Sequence, residues 1–438
     1  MKRQRCIIMG AAGRDFHDFL VHFRDRPELQ VCCFTAEQIP FIEQRSFPRE
    51  LAGSHYDADI PIHPERELPA LIAHHAAEWV FLCYSDLSHA QVMHRASIAQ
   101  AAGASFALLG PRHTEIELRR PVIAVTAVRT GAGKSPISQH LCRHLAGRGH
   151  RVAVVRHPMP YGDLLKQRVQ RFETLADLEA QGCTIEEREE YAPYLEQGQR
   201  VYAGVDYRAI AERAEAESDV VIWDGGNNDR AFYRPDLQVV ALDALRPDDG
   251  LGYYPGETNL RAADVLVITK VDAAGPAAVG RVRAQAAEAN PAAELLEADL
   301  SLVTDAAAIA GKRVLVVEDG PTLTHGGMSH GAGFVAARRA GAVELVDPRP
   351  HAVGSIAAAF ERFEHLGPVL PALGYADHQL RELRETIEAS PAELLVDASP
   401  AGVSQVLDLK LPCVRVRYRF EQRSGTPLED IVDPVLAR

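Results

Sequence analysis

The chain has 438 residues, 47% of them apolar and 24% charged, a globular balance that allows a sizeable buried core, and its length fits about three ordinary domains. A net charge of −13, from 47 basic against 60 acidic residues, excludes the broad basic footprint that nucleic acid or an anionic membrane surface requires; an anionic substrate must meet locally gathered positive charge. The seven cysteines show no CxxC spacing and sit mostly in apolar runs, which points to reduced thiols and a cytoplasmic location.

From the amino terminus, the basic start and the apolar residues 6–12 have the outline of a signal peptide, but the run stops at Arg14 and Asp15. No stretch approaches the roughly 18 uninterrupted apolar residues of a membrane span. Strand and helix signals then alternate over residues 1–118: RCIIMG, a helix over 15–24, LQVCCFT, a helix near 66–77, WVFLCYS, a helix near 89–102, and SFALLG. Such alternation predicts a Rossmann-like parallel sheet covered by helices. Its first turn, GAAGRD, is rich enough in glycine to hold a phosphate, and is equally what a tight strand-to-helix connection needs. Arg14, Asp15 and His17 follow it.

Proline, glycine and charge cluster in GPRHTEIELRRP, residues 110–121, and mark the start of a central P-loop NTPase domain over 119–308. Its strands are expected at 122–128, 151–156, 219–224, 237–243 and 264–270. In PVIAVTAVRTGAGKSPISQHL, residues 121–141, an apolar strand enters a glycine turn and a helix follows. Thr130, Gly131, Ala132 and Gly133 can turn backbone N–H groups onto a polyphosphate at the positive end of that helix. Lys134 adds charge near the β/γ-phosphates, and the Ser135 hydroxyl is a ligand for Mg²⁺. Val128 stands where GxxxxGK[ST] has its first glycine, and Arg129, five residues before Lys134, takes the place of the signature lysine of one P-loop branch; both Arg129 and Lys134 are expected to be catalytic.

VVIWDGGNND, residues 220–229, ends an apolar strand in Asp224, a carboxylate of Walker B form suited to holding Mg²⁺ and counted as catalytic. The following GGNND, with Asp229, is a candidate γ-phosphate sensor. Arg156 and His157 end the second strand of this domain, where they can bind a substrate anion or simply pair structurally. An insertion at about 162–205, containing EEREEYAPYLEQGQ, is a lid, an oligomer contact or a solvated helical excursion. YYPGETNLR (253–261) adds Glu257 and Arg261. TKVD (269–272) resembles the NKxD element of GTPases, with Lys270 along a base and Asp272 on the guanine N–H groups, which leaves ATP or GTP open.

Residues 309–438 form the third segment, a C-terminal α/β domain with anion-binding loops. Strand signals recur at 311–321, 343–347, 393–399 and 413–418. VEDGPTLTHGGMSHGAG (317–333) brings Glu318, Asp319, Thr322, Thr324, His325 and His330 into a glycine-rich loop. Histidines five apart lack the helical spacing of a zinc pair, so phosphate or carboxylate suits the loop better. DPRPHAVGS (347–355) repeats the theme with Asp347, Arg349 and His351.

VRTGAGKS, YAGVDY, WDGGNND, YYPGETNLR, ITKVD, EDGPTLTHGGM, GAG and DPRPHAVGS, in this order, together resemble the archaeal cyclic 2,3-diphosphoglycerate synthetases and their bacterial homologues, often described as predicted GTPases. The resemblance implies activation of one phosphate of a small polyanionic metabolite by Mg·ATP or Mg·GTP, closure of an internal phosphoanhydride, and release of ADP and phosphate. By motif, residues 130–135 would hold the nucleotide and Asp224 the Mg²⁺. His325, Arg349 and His351 would meet the anionic substrate, with Glu318 and Asp319 as metal or positioning groups. A homodimer is expected, with neither nucleic acid nor membrane as partner. The competing reading is a nucleotide-switch or maturation GTPase acting on a protein or metal partner.

Overall fold

The computed structural model describes residues 3–437, apart from 12, 38–44, 158–161, 227, 325–328, 373–376, 400–401 and 404–406. By contacts the chain forms two compact units: one comprises Met1–Asp177, Tyr194–Asp299 and Glu421–Arg438, the other Leu178–Pro193 and Leu300–Phe420. The first unit takes in residues 1–118, expected as the Rossmann-like domain, and most of 119–308, expected as the P-loop domain, of which 178–193 and 300–308 fall in the second unit.

Besides the short antiparallel pair of Leu87–Ser88 with Tyr253–Tyr254, the first unit holds two larger sheets. In the six-stranded sheet, Gln4–Met9 lies between Leu29–Ala36 and Trp79–Leu82, parallel to both. Two strands absent from the sequence reading, Ile60–Pro64 and Ser46–Phe47, extend one edge; proline interrupts the first and the second is too short to show a period. The helix expected over 15–24 is α-helical over Arg14–Asp18 and continues as a π-helical turn, Phe19–Phe23.

The nine-stranded sheet carries the P-loop. Its central strands Val152–Arg156, Val220–Asp224, Val122–Ala127, Leu237–Asp243 and Val265–Thr269 lie side by side in that order and run parallel. They are continuously apolar because both faces are covered, and in each of the five every residue is buried. Parallel pairing brings their carboxyl ends to one edge, so Asp224 is the register partner of Arg156 and Asp243 that of Thr269. The insertion is not a solvated excursion. Its strands Gln170–Phe172 and Arg200–Ala203 join this sheet, and Phe172, Tyr194 and Tyr202 are fully buried.

The second unit is built on a five-stranded sheet in which Arg313–Asp319 pairs in parallel with Glu344–Leu345, Leu370–Ala372 and Leu394–Asp397. The single strand expected at 413–418 is two: Cys413–Arg415 belongs to this sheet, whereas Arg417–Ser424 ends the nine-stranded one. Among the described residues no helix is long and apolar enough to cross a membrane.

Candidate active site

The turn after Val122–Ala127 has Gly131 at φ 79° and Gly133 at φ 100°, a left-handed backbone that residues with a Cβ seldom adopt. Gly133 caps the helix Lys134–Gly147. Donors behind the turn fix its carbonyls. Arg246 donates to the Thr130 carbonyl at 2.7 Å, Lys270 to Gly131 at 2.8 Å and the Thr269 hydroxyl to Ala132 at 2.6 Å. In a trans peptide the following N–H points opposite to the carbonyl, so the N–H groups of Gly131 and Gly133 are aimed away from these donors, on the side a phosphate would occupy.

Asp224, fully buried, is the electrostatic centre. The Lys134 ammonium, the Arg156 guanidinium and the Tyr194 hydroxyl all donate to its carboxylate. Burial alone would raise its pKa, but Arg156 and Lys134 outweigh desolvation and bring it down to about 2. The same burial beside this carboxylate pushes the Tyr194 hydroxyl well above its ordinary value, so Tyr194 acts as a donor. Arg156 is thus a partner of Asp224, 2% exposed, the structural pairing of the two alternatives its position in sequence left open. Tyr194 was not singled out in the sequence; the only sign of it was an aromatic in the apolar part of a charged insertion.

Arg129 does not point to an open phosphate site in this structure. Its Nε donates to Asp86 at 2.7 Å, its Nη1 to Asp249 at 2.7 Å, and its guanidinium lies 3.6 Å above the ring of Tyr253. The Thr130 hydroxyl donates to the other oxygen of Asp86 at 3.0 Å. Val128, in place of the motif's first glycine, is buried. Gly256 clears its backbone: a Cβ there would stand 2.0 Å from the Val128 carbonyl oxygen. That oxygen also accepts from Asn228 Nδ2 at 3.0 Å, which occupies one amide of the expected γ-phosphate sensor.

Lys270 lies at φ 61° and bonds Asp243 at 2.8 Å besides the Gly131 carbonyl, so it ties the turn to the sheet. Asp272, its carboxylate 72% exposed, pairs with Arg423 at 3.1 Å. The His157 Nε2 is 3.7 Å from Asp229, and its ring fills the space beside Gly13 and Gly226. The GAAGRD turn is closed by its own carboxylate: Asp15 accepts from the N–H groups of Gly13 at 3.0 Å and Phe16 at 2.8 Å. Arg14 is engaged by Asp229 at 3.2 Å. Glu257 and Arg261 pair with each other at 2.7 Å.

In the second unit, Glu318 has a use other than metal binding. Its buried carboxylate accepts N–H groups from Gly331, Gly333 and Phe334 at 2.8–3.2 Å, which satisfies the start of the helix Ala332–Arg339. Arg349 forks onto Asp347, two residues away, with contacts of 2.6–3.0 Å. His351 ends the same 3₁₀ turn, and His325 lies outside the described residues. Among the described residues no group of three or more His, Cys, Asp or Glu could hold a metal alone. Ser135 and Asp224 nevertheless carry hard oxygen donors of the kind that Mg²⁺ takes alongside nucleotide phosphates.

Strand, glycine turn, lysine and helix, with a carboxylate at the end of the adjacent parallel strand, define a P-loop protein of NTPase type. The chain belongs to the family of the arginine synthetase ArcE of Thermococcus kodakarensis, to which it is 51% identical over 433 residues, 99% of this chain and 97% of that protein. It is also 26% identical over 333 residues to the tetraacyldisaccharide 4'-kinase of Geobacter sulfurreducens, covering 73% of this chain and 85% of that one. No protein-family model matches. Among solved structures, LpxK from Aquifex aeolicus in complex with ATP overlaps 80% of this chain and 95% of its own at a TM-score of 0.47 and 13% identity. The hydrogenase maturation factor HypB from Archaeoglobus fulgidus overlaps 43% of this chain and 84% of its own at 0.27 and 18% identity. These overlaps are too partial to carry a functional argument.

Proposed function

We propose that this protein is a Mg·nucleotide-dependent synthetase whose phosphoryl-transfer step runs at Lys134 and Asp224, with arginine on one side of its reaction. The observation that carries the first half is the ion pair of Lys134, at the head of the P-loop helix, with a buried aspartate on the next strand. The second half rests on the name of the relative that matches the chain over nearly its full length. Lys134 and the N–H groups of Gly131 and Gly133 serve the phosphates, while Arg156 and Tyr194 keep Asp224 ionised and oriented. Ser135 and Asp224 would hold Mg²⁺, which when bound supplies neutralisation of phosphate oxygens. Catalysis is then positioning plus electrostatics, with no general base demanded of the protein.

A second reading, closure of an internal phosphoanhydride in 2,3-diphosphoglycerate, is favoured by EDGPTLTHGGM and DPRPHAVGS. One experiment separates them. Arginine, ADP or GDP, phosphate and Mg²⁺ are incubated with the protein, and formation of nucleoside triphosphate is followed together with ammonia, which would leave as a guanidinium C–N bond breaks and its carbon takes an oxygen from phosphate; in parallel, Mg·ATP or Mg·GTP with 2,3-diphosphoglycerate is examined by phosphorus NMR for an acid-labile cyclic product. Arginine-dependent triphosphate formation, lowered at least about 100-fold in Lys134→Ala with an unchanged circular dichroism spectrum, is the expected result. A cyclic product without arginine dependence establishes the second reading instead. Hydrolysis indifferent to both metabolites, yet raised by a protein partner, overturns both in favour of a nucleotide switch.

A further inference from the structure

We infer that Asp86, Asp249 and Tyr253 form a guanidinium subsite, which Arg129 fills in this structure and which the guanidinium of arginine takes over when it binds. That arginine is the occupant rests on the proposed function; the existence of the subsite rests on its geometry.

The three groups satisfy the separate requirements of a planar cation. Tyr253 offers a ring face 3.6 Å from the guanidinium carbon, an arrangement that favours a flat, weakly hydrated cation over a compact ammonium. Asp86 and Asp249 each take one N–H at 2.7 Å, on Nε and on Nη1. The contributors converge from distant parts of the first unit. Asp86 follows the strand Trp79–Leu82 of the six-stranded sheet, while Asp249 and Tyr253 lie between Leu237–Asp243 and the helix Gly256–Ala262 of the other. The carboxylates remain 22% and 21% exposed and Arg129 19%, so a small molecule can reach the cage.

Its surroundings set it apart from an ordinary surface pair. Asp86 keeps φ at 61°, a conformation that aspartate tolerates better than most residues, and its second oxygen is held by the Thr130 hydroxyl. A second cation stands close: Arg246 Nε is 3.9 Å from Asp249, although its nearer carboxylate is Asp243 at 2.8 Å. The occupant, Arg129, belongs to the phosphate loop itself, directly before Thr130 and Gly131. An incoming guanidinium would therefore release a cation anchored at the nucleotide site, and filling of the cage becomes coupled to charge at the phosphates. By linkage, arginine and nucleotide should each tighten the binding of the other.

The test uses the full-length protein and calorimetric binding of L-arginine and methylguanidine, with L-lysine as the ammonium control. Arg129→Ala should bind arginine and methylguanidine at least about tenfold more tightly than the wild type, with no gain for lysine. Adding Asp249→Asn should remove that gain. Tyr253→Phe should keep the stacking and the affinity where Tyr253→Ala loses both. Retained circular dichroism and nucleotide binding show that each variant is folded. Unchanged guanidinium affinity in Arg129→Ala, or the same gain for lysine, overturns the subsite and leaves Arg129 as a structural latch. If arginine-dependent triphosphate formation occurs while the cage variants leave the arginine KM unmoved, the subsite falls and the proposed function stands. If Arg129→Ala gains affinity for methylguanidine and arginine supports no turnover, the subsite stands and the proposed function falls.

Discussion

The phosphate-loop region and the loops of the second unit contain the same kinds of residue, arginine, aspartate, glutamate and histidine after strand ends, yet they use them differently. Around the P-loop, apart from Arg246 on Asp243 three residues away, the charged contacts reach across the chain: Lys134 and Arg156 reach Asp224, 90 and 68 residues away, and Arg129 reaches Asp86 and Asp249, 43 and 120 residues away. In the second unit Arg349 meets a carboxylate two residues off, and Glu318 caps a helix that begins 14 residues later. Short-range pairs close a turn and need little of the fold. Long-range ones form only when the whole sheet is assembled, and they gather charge at a place the backbone alone would leave neutral.

Substitutions can break that contrast, and the largest effect should come from its centre. Asp224→Asn leaves the buried Arg156 without its counter-charge and should cost about 3–5 kcal/mol in urea unfolding. The wild-type advantage should also depend on acid. Because the folded pKa of Asp224 is depressed to about 2, its contribution is complete above the unfolded value of about 4 and fades as pH falls towards about 2. Equal midpoints for the two proteins at neutral pH would show that the charge cluster is not holding the sheet edge together. Next in size, Glu318→Gln should cost about 1–2 kcal/mol through weakened capping, with no change in metal affinity; a loss of Mn²⁺ binding would return Glu318 to the metal site. Smallest is Arg349→Ala. Its exposed pair is worth less than about 1 kcal/mol, so stability should hardly move. A rise in the KM for a small anion would show that the turn reads substrate as well as closing on itself.

How far the sequence anticipates this structure follows from the range of the forces involved. The five central strands were readable because full burial makes them continuous apolar runs, and the P-loop because strand, glycine and lysine are adjacent in the chain. Ser46–Phe47 and Leu370–Ala372 left no trace, since a strand of two or three residues carries no period. At the site, Lys134 and Asp224 were legible from motif and position. Tyr194, Asp86 and Asp249 were not, because each acquires its role only from a partner brought near by folding. Arg349 shows the opposite failure: a motif bright in the sequence whose charge, in the structure, is spent on its neighbour.

The contact between Gly256 and Val128 bears on how such loops can be recognised at all. What the first glycine of a P-loop motif provides is room, and room has two sides. Here Gly256 clears the backbone of residue 128, whose carbonyl a Cβ at 256 would meet whatever side chain residue 128 carried, so the close approach of helix and loop is secured at a position remote from the motif. A pattern written along the loop does not include that position, whereas a pattern written across the contact would. Gly256→Val should therefore disturb the loop, whereas Val128→Gly leaves that backbone contact as it is.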